Sequence, residues 1–292
     1  MEKEEVNVMI AENQISFDFD AIKEENEEEI VEESSILPAY LISSVNHDYI
    51  KDEVLFVVVK VFKDELEENL PALKICGKSM IDWVLLAGSE CEQKILDNDE
   101  DILETLRNLN TDKSYIAVFY SDTPLLDKTT FNRLVDYFTS KGMNFLQLQR
   151  GFLIRTNYLK IMQDFKQGVT FTEFDDKTLI KVDSAKKINY VAEILYDKIL
   201  SYHMKNGVIV YGADTVFVDA DVEIENGVII YPNNIIQGES IIEKGVILRS
   251  GNIIVDSIIS SNSVLTQSYI EKSKVGKDSK IGPFTKLINE EI

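Results

Sequence analysis

An aliphatic residue returns every six positions through the last third of the chain, and this spacing restricts the fold more than any other feature. The repeat runs through Ile224, Ile230, Ile236, Ile242, Leu248 and Ile254, then, in steps of five or six, through Ile259, Leu265, Ile270, Val275, Ile281 and Leu287. Neither the 3.6-residue period of a helix nor the two-residue period of a flat strand produces this spacing. A period of six is typical of a parallel β-helix, whose coil has three short sides.

We expect each hexad aliphatic to point into the β-helix, with a short residue four positions later in the corner. These short residues are Val228, Asn234, Ser240, Val246, Asn252 and Ser263. A sandwich of β-hairpins is the alternative, but hairpins need turn dipeptides and two-residue alternation. The position before each hexad residue should face outward, and it holds Ile229, Ile235, Ile241, Ile247 and Ile253. Outward residues one coil apart should therefore stack in columns.

The hexad pattern resembles the left-handed β-helix of the hexapeptide-repeat acyltransferases. Residues 275–284, with their Gly-Pro-Phe element, resemble specifically the bifunctional N-acetylglucosamine-1-phosphate uridyltransferase / glucosamine-1-phosphate acetyltransferase family, as do residues 203–208 and 219–224. In that family the Gly-Pro-Phe element lies early in the β-helix, and the acetyltransferase site lies later. Since this sequence stops at Ile292, we expect no acetyltransferase site in it.

The charge of the chain is strongly acidic, with 51 acidic against 30 basic residues and a net charge of −21. Much of the excess lies in residues 1–35, which predicts a disordered or transiently helical tail, either a solubilising extension or a partner-binding segment. The sign argues against nucleic-acid binding. No apolar run is long enough to span a membrane. Cys76 and Cys91 suit a reducing cytoplasm and leave a disulfide between them open.

Residues 36–204 alternate strands with helices, which predicts an α/β domain with a mostly parallel sheet. Strands are predicted at 54–59 and 116–120, and helices from Ser79, at 101–109, at 129–139 and at 184–204. The buried side of the first helix is assigned to Trp83, Val84, Leu86 and Ala87. With the resemblance, the predicted fold is a Rossmann-like nucleotidyltransferase domain followed by a left-handed parallel β-helix at 205–292.

Two aspartates are the candidate metal ligands. Asp122 comes just beyond the strand at 116–120, at the end where open α/β sheets bind ligands. Residues 120–126 (Tyr-Ser-Asp-Thr-Pro-Leu-Leu) resemble the family's metal-binding motif, which implies that Asp122 holds Mg²⁺ against substrate phosphates. Asp183 stands where the family has an asparagine as second ligand. Helix capping or loop solvation is the alternative role for both acids.

The segment that should bind the triphosphate departs from the family. Residues 60–69 hold no glycine and four carboxylates, and each carboxylate–phosphate pair at ~4 Å costs about 1 kcal/mol even in water. The family's Leu-Pro-Lys is replaced by Leu-Pro-Ala, so Lys74 is the nearest basic residue and a candidate substrate ligand. Lys78, in a Gly-Lys-Ser-Met element that resembles the family's Gly-Lys-Pro-Met, is a second candidate, with a plain surface lysine as the alternative. Residues 150–157 match the sugar-contacting region only faintly.

The resemblance implies the reaction of UTP with N-acetylglucosamine-1-phosphate to give UDP-N-acetylglucosamine and pyrophosphate, with Mg²⁺ as cofactor if the chain is active. The degenerate phosphate segment favours a chain that keeps the fold and has weak or lost activity, and no catalytic residue is assigned. The alternative is a non-catalytic assembly or regulatory module, a pseudoenzyme. The outward isoleucine columns predict a homotrimer, unless the α/β domain or the helix before Met204 covers one column.

Overall fold

The computed structural model describes residues 51–61, 74–97, 101–164 and 177–292. All of these residues lie within one unit of the chain, Val45–Ile292. The predictions for the acidic tail at 1–35, and for most of the glycine-free segment at 60–69, fall outside the described residues. The division of the chain at residues 204 and 205 into two domains stays a prediction.

A five-stranded mixed sheet forms the centre of the α/β part. Its strands are β1 (Val54–Val59), β4 (Glu92–Leu96), β5 (Tyr115–Tyr120), β6 (Phe145–Leu148) and β7 (Gly151–Arg155), and a short hairpin outside the sheet consists of β2 (Lys74–Ile75) and β3 (Lys78–Ser79). The order across the sheet is β4-β1-β5-β7-β6. β1 pairs in parallel with both β4 and β5, and β7 runs antiparallel to β5 and β6. Every residue of β1 is buried, as its unbroken apolar sequence predicts.

Helices cover both faces of this sheet. They are α1 (Met80–Ala87), α2 (Ile102–Arg107), α3 (Lys128–Ser140), α4 (Thr156–Leu159) and α5 (Ala185–Lys205), with single 3₁₀ turns at Lys177–Leu179 and Ala213–Thr215. The Ser79 side chain caps α1 by accepting a hydrogen bond from the Asp82 amide, as the sequence predicts. The buried face of α1 was assigned incorrectly in part, because Leu86 is 46% exposed and Met80 is buried instead. Among the described residues, no helix is long and apolar enough to cross a membrane.

The C-terminal part is a left-handed parallel β-helix whose short strands form three sheets. Its strands are β8 (Ile209–Val210), β9 (Phe217–Val218), β10 (Glu223–Ile224), β11 (Ile229–Ile230), β12 (Ile235–Gln237), β13 (Ile241–Ile242), β14 (Ile247–Leu248), β15 (Ile253–Val255), β16 (Ile258–Ile259), β17 (Val264–Leu265), β18 (Tyr269–Glu271), β19 (Lys274–Val275), β20 (Lys280–Ile281) and β21 (Lys286–Ile288). Each strand pairs with the strand three further along, one coil on. The predicted fold class is confirmed.

The hexad aliphatics fill the interior of the β-helix. Ile236, Ile242 and Ile254 have no exposed surface, and they belong to one continuous apolar cluster. The corners are closed by buried polar side chains that bond from coil to coil. The Asn234 Oδ1 accepts from the Asn252 Nδ2 at 2.9 Å, and the Asn252 Oδ1 accepts from the Ser268 amide at 3.1 Å. These bonds satisfy groups that would otherwise be costly to bury.

The outward isoleucines stack in columns, as predicted. Ile229 lies opposite Ile247 on one sheet, and Ile235 lies opposite Ile253 on another. The second column begins with Phe217, and the ring of Tyr196 on α5 packs edge-on against it with 5.1 Å between centroids. The helix therefore contacts the start of this column, but Phe217 remains 40% exposed and Ile253 36% exposed.

Candidate functional site

Asp122 lies just beyond β5, where hydrogen bonds connect the ends of the parallel strands β1 and β5. The Ser121 amide donates to the Val59 carbonyl at 2.9 Å, and the Ser121 hydroxyl accepts from the Val61 amide at 3.1 Å. The Asp122 carbonyl accepts from the Val182 amide at 2.8 Å. These bonds fix the Asp122 backbone at the carboxyl end of the sheet, which is where the sequence places it.

The carboxylate of Asp122 is only 1% exposed and is held by an arginine. The Arg150 Nε donates to Oδ1 at 3.0 Å, and the Arg150 Nη2 donates to Oδ2 at 2.7 Å. The guanidinium carbon also lies 4.1 Å from the centroid of the Tyr120 ring. Both carboxylate oxygens are thus engaged by one planar, permanently charged group. Burial raises the pKa of Tyr120, so its hydroxyl stays protonated in this setting.

Arg150 reaches Asp122 because of the hairpin formed by β6 and β7. Residues 149 and 150 form the two-residue turn, and Gly151 follows with a φ of +123°, a conformation that favours glycine. A Cβ at Gly151 would lie 2.4 Å from the Val118 carbonyl oxygen, so only glycine allows this close approach to β5. The sequence analysis did not predict this hairpin and missed Arg150 as a site residue. The glycine directly after a short turn was the available signal.

Asp183 lies on the segment that the Val182 amide anchors to Asp122. Its carboxylate forms an ion pair with the Lys187 Nζ at 2.9 Å, across one turn of α5. The hydrogen bond from Lys187 lowers the pKa of Asp183, so the group is ionised at neutral pH. Its side chain is 33% exposed, in contrast to the buried Asp122.

A Mg²⁺ ion requires several oxygen ligands in near-octahedral geometry. In this arrangement both oxygens of Asp122 accept hydrogen bonds from the positively charged Arg150, and Asp183 is paired with Lys187. Within the part of the chain that the structure describes, no three His, Cys, Asp or Glu side chains are grouped to hold a metal. The residues present therefore do not fit the ion unless the pair of Asp122 with Arg150 opens. The assignment of Asp122 and Asp183 as Mg²⁺ ligands stays a prediction.

The two candidate lysines lie together on the β2–β3 hairpin. Lys74 is exposed, and Lys78 forms an ion pair with Asp221 in the first coil of the β-helix. The Cys76 carbonyl between them accepts from the Ala220 amide at 3.0 Å. The hairpin thus docks on the β-helix, and the assignment of these lysines to substrate binding stays a prediction. Cys76 and Cys91 are both free thiols.

Comparison with known proteins links the chain to one kind of bifunctional protein. The chain is 36% identical over 119 residues to "Bifunctional protein GlmU" of Clostridium acetobutylicum, which covers 41% of this chain and 26% of that protein. The GlmU protein of Caldanaerobacter subterraneus subsp. tengcongensis is 21% identical over 309 aligned positions, 75% of this chain and 68% of that protein. No family model matches. These matches confirm the resemblance that the sequence indicates.

The coverage of these relatives is partial. The chain spans about a quarter of the length of the protein from Clostridium acetobutylicum and 30% of the one from Clostridium botulinum. Among solved structures, 4-diphosphocytidyl-2C-methyl-D-erythritolsynthase from Anaerococcus prevotii is 9% identical, with a TM-score of 0.38, covering 52% of this chain and 99% of that one. A likeness at this level carries no functional conclusion.

Proposed function

We propose that this chain is a sugar-1-phosphate nucleotidyltransferase-like protein whose Mg²⁺-dependent activity is weak or lost. The observation that carries the proposal is the Arg150 guanidinium on both oxygens of Asp122. A guanidinium is never deprotonated in a protein, so it neutralises the buried carboxylate permanently. A metal ion at Asp122 would lie next to the Arg150 guanidinium, whose positive charge repels it, and the carboxylate is almost fully buried.

The positive charge of Arg150 cannot bind substrate phosphates in the way that a metal ion does. A bound Mg²⁺ bridges protein oxygens to substrate phosphates, because it has coordination positions to spare. Arg150 directs two of its N–H groups at Asp122, so most of its charge is already compensated. The site therefore retains the aspartate and a cation beside it, but not the open coordination that phosphate transfer uses. Binding of a nucleotide sugar or a sugar phosphate without turnover is compatible with this arrangement.

Formation of UDP-N-acetylglucosamine is expected to be very slow. Pyrophosphate release from UTP and N-acetylglucosamine-1-phosphate with Mg²⁺ should be roughly 100-fold or more below that of the Clostridium acetobutylicum relative, because electrostatic stabilisation of this kind contributes at least that factor. A coupled phosphate assay measures the rate. Asp122→Asn serves as the matched control and should leave the residual rate unchanged. Robust Mg²⁺-dependent release that Asp122→Asn abolishes would refute the proposal.

A second candidate function is a non-catalytic assembly module, which the outward columns of the β-helix favour. Ile229 and Ile247 form one column, and Ile235 and Ile253 form the other. Burying such a side chain is worth ~1.5–3 kcal/mol, so two columns can drive association. A closed three-fold ring uses two faces of each prism, which is why a homotrimer is proposed.

The homotrimer predicts a mass of about three times 33.3 kDa in light scattering at micromolar concentration. The pair Ile235→Glu with Ile253→Glu should reduce the mass to that of one chain, because it places carboxylates in the apolar contact. The control pair is Lys94→Glu with Lys160→Glu, which adds more negative charge at exposed positions of the α/β part and should not change the mass. A single-chain mass for the unmodified protein would rule out the trimer.

A further inference from the structure

A groove of about 550 Å³ lies where α1, the loop before α3, α5 and the first coil of the β-helix meet. Its walls are mostly apolar, with Leu126, Leu195 and Ile199 on one side and Trp83 and Tyr202 supplying aromatic rings. The Trp83 Nε1 donates to the Ile75 carbonyl at 2.8 Å, so this ring is held in place. A volume of this size accommodates a small organic molecule.

One polar side chain that lines the groove is His203, whose ring nitrogens are not among the fully buried polar atoms. His203 is only 5% exposed, and its ring makes no hydrogen bond with any residue in the described ranges. Burial lowers the pKa of His203, so the ring is neutral at pH 7, with one nitrogen that donates and one that accepts. Since His203 lines the groove, a ligand bound there can form a hydrogen bond with a ring nitrogen in place of water.

Three lysines line the groove together with two aspartates, Asp127 and Asp221, so its lining carries a small net positive charge on a strongly acidic chain. Lys78 pairs with Asp221, Lys128 with Glu90, and Lys198 with Asp127, the last at 3.1 Å. The carboxylates of these pairs are 40–46% exposed, so each pair contributes little to stability.

An ammonium in such an exposed pair has N–H groups left for an incoming anion. Redirecting it to a ligand carboxylate costs little, because the ion pair that it would leave is weak.

We propose that this groove binds a small flat aromatic acid. The aromatic part fits between Trp83 and the aliphatic wall, the acid group meets the lysines, and a hydroxyl or similar group on the ring bonds to His203. The site is separate from Asp122, and none of its contacts involves Arg150. Its occupation therefore does not depend on whether the chain retains nucleotidyltransferase activity.

The chain contains one tryptophan, and this residue lines the groove. In the ¹H–¹⁵N spectrum of the full chain, the Trp83 indole therefore gives one resonance that reports on the site. Titration with 6-hydroxy-2-naphthoate, which has a hydroxyl and a carboxylate at opposite ends, should shift this resonance with saturation at a Kd on the order of 1 mM or below. We expect 2-naphthol, which lacks the carboxylate, to bind about tenfold more weakly.

Variants test each part of the site. His203→Phe keeps a ring of similar size and should weaken 6-hydroxy-2-naphthoate about tenfold, while leaving 2-naphthoate unchanged. Lys198→Met should weaken both acids, whereas Lys205→Met, at an exposed position further along α5, is the matched control. Ala220→Phe should block the groove and abolish the shift.

Three outcomes would overturn the proposal. They are no saturable shift of the Trp83 resonance, equal binding of 2-naphthol and the acids, and equal effects of Lys198→Met and Lys205→Met. If His203→Phe does not fold, the two lysine variants and Ala220→Phe still decide the question. Loss or retention of pyrophosphate release has no bearing on these results, so the two proposals fail independently.

Discussion

Replacing Arg150 with alanine is expected to destabilise the folded chain by about 3–5 kcal/mol, because it leaves the Asp122 carboxylate buried without a counter-charge. Asp122 is 1% exposed, while the Arg150 side chain is 26% exposed, so water can partly replace the guanidinium and the lower end of the range is expected. Chemical denaturation followed by circular dichroism measures the change. A loss below 1 kcal/mol would show that the pair is not the main neutraliser of Asp122.

The double variant Arg150→Met with Asp122→Asn separates charge from packing. It removes the buried charge together with its partner, so it should be more stable than Arg150→Met alone. The single variant Asp122→Asn should cost less than Arg150→Met, because the arginine that remains has access to water. The coupling energy from this cycle should fall in the range of about 0.5–3 kcal/mol that contacting residues show. Additive effects would contradict a direct interaction.

Truncating an inward residue of the β-helix is expected to cost about 2–5 kcal/mol, as for other fully buried aliphatic side chains. Ile236→Ala and Ile242→Ala are the test variants, because neither residue has any exposed surface. Each removal leaves a cavity between coils that the pairing of the strands above and below prevents from closing. Urea denaturation of the full chain measures the free energy of unfolding.

The outward neighbour Ile241 provides the matched control, since Ile241→Ala removes the same atoms from the same strand. Ile241 is half-buried on the outer face of β13, so its truncation should cost about 1 kcal/mol or less. Equal losses for Ile241→Ala and Ile242→Ala would show that the inward and outward assignment is wrong. This control also excludes a general effect of losing an isoleucine from a β-strand.

The β-helix could be predicted almost fully from the sequence, because its core repeats the same inward aliphatic position along each coil. The six-residue spacing placed Ile236 and Ile254 inside, and the structure confirms both. The spacing predicts less well at the ends, where Ile224 and Ile281 have fewer coils around them and are only half-buried. Burial on α1 was harder to predict, since helical spacing does not say how wide a face is covered, and Leu86 lies beyond its edge.

The candidate site could be predicted only in part. The buried strand before Asp122 places this residue correctly, since the apolar run ends directly in Ser-Asp-Thr-Pro. Its partner Arg150 could not be predicted in the same way, because it is 28 residues away in the sequence. A hairpin of two short, weakly patterned strands brings it to Asp122. Contacts of this kind depend on tertiary packing, here on the absence of a side chain at Gly151. Likewise, the groove with His203 joins segments that no local pattern connects.

Calorimetric titration of Mg²⁺, with and without UTP, into the unmodified chain and Asp122→Asn tests most directly whether Arg150 takes the place of a metal at Asp122. We predict that the unmodified chain shows no Mg²⁺ binding that depends on Asp122, so its titration should match that of Asp122→Asn. Saturable Mg²⁺ binding in the unmodified chain that Asp122→Asn abolishes would contradict the account, since it would mean that the ion displaces Arg150.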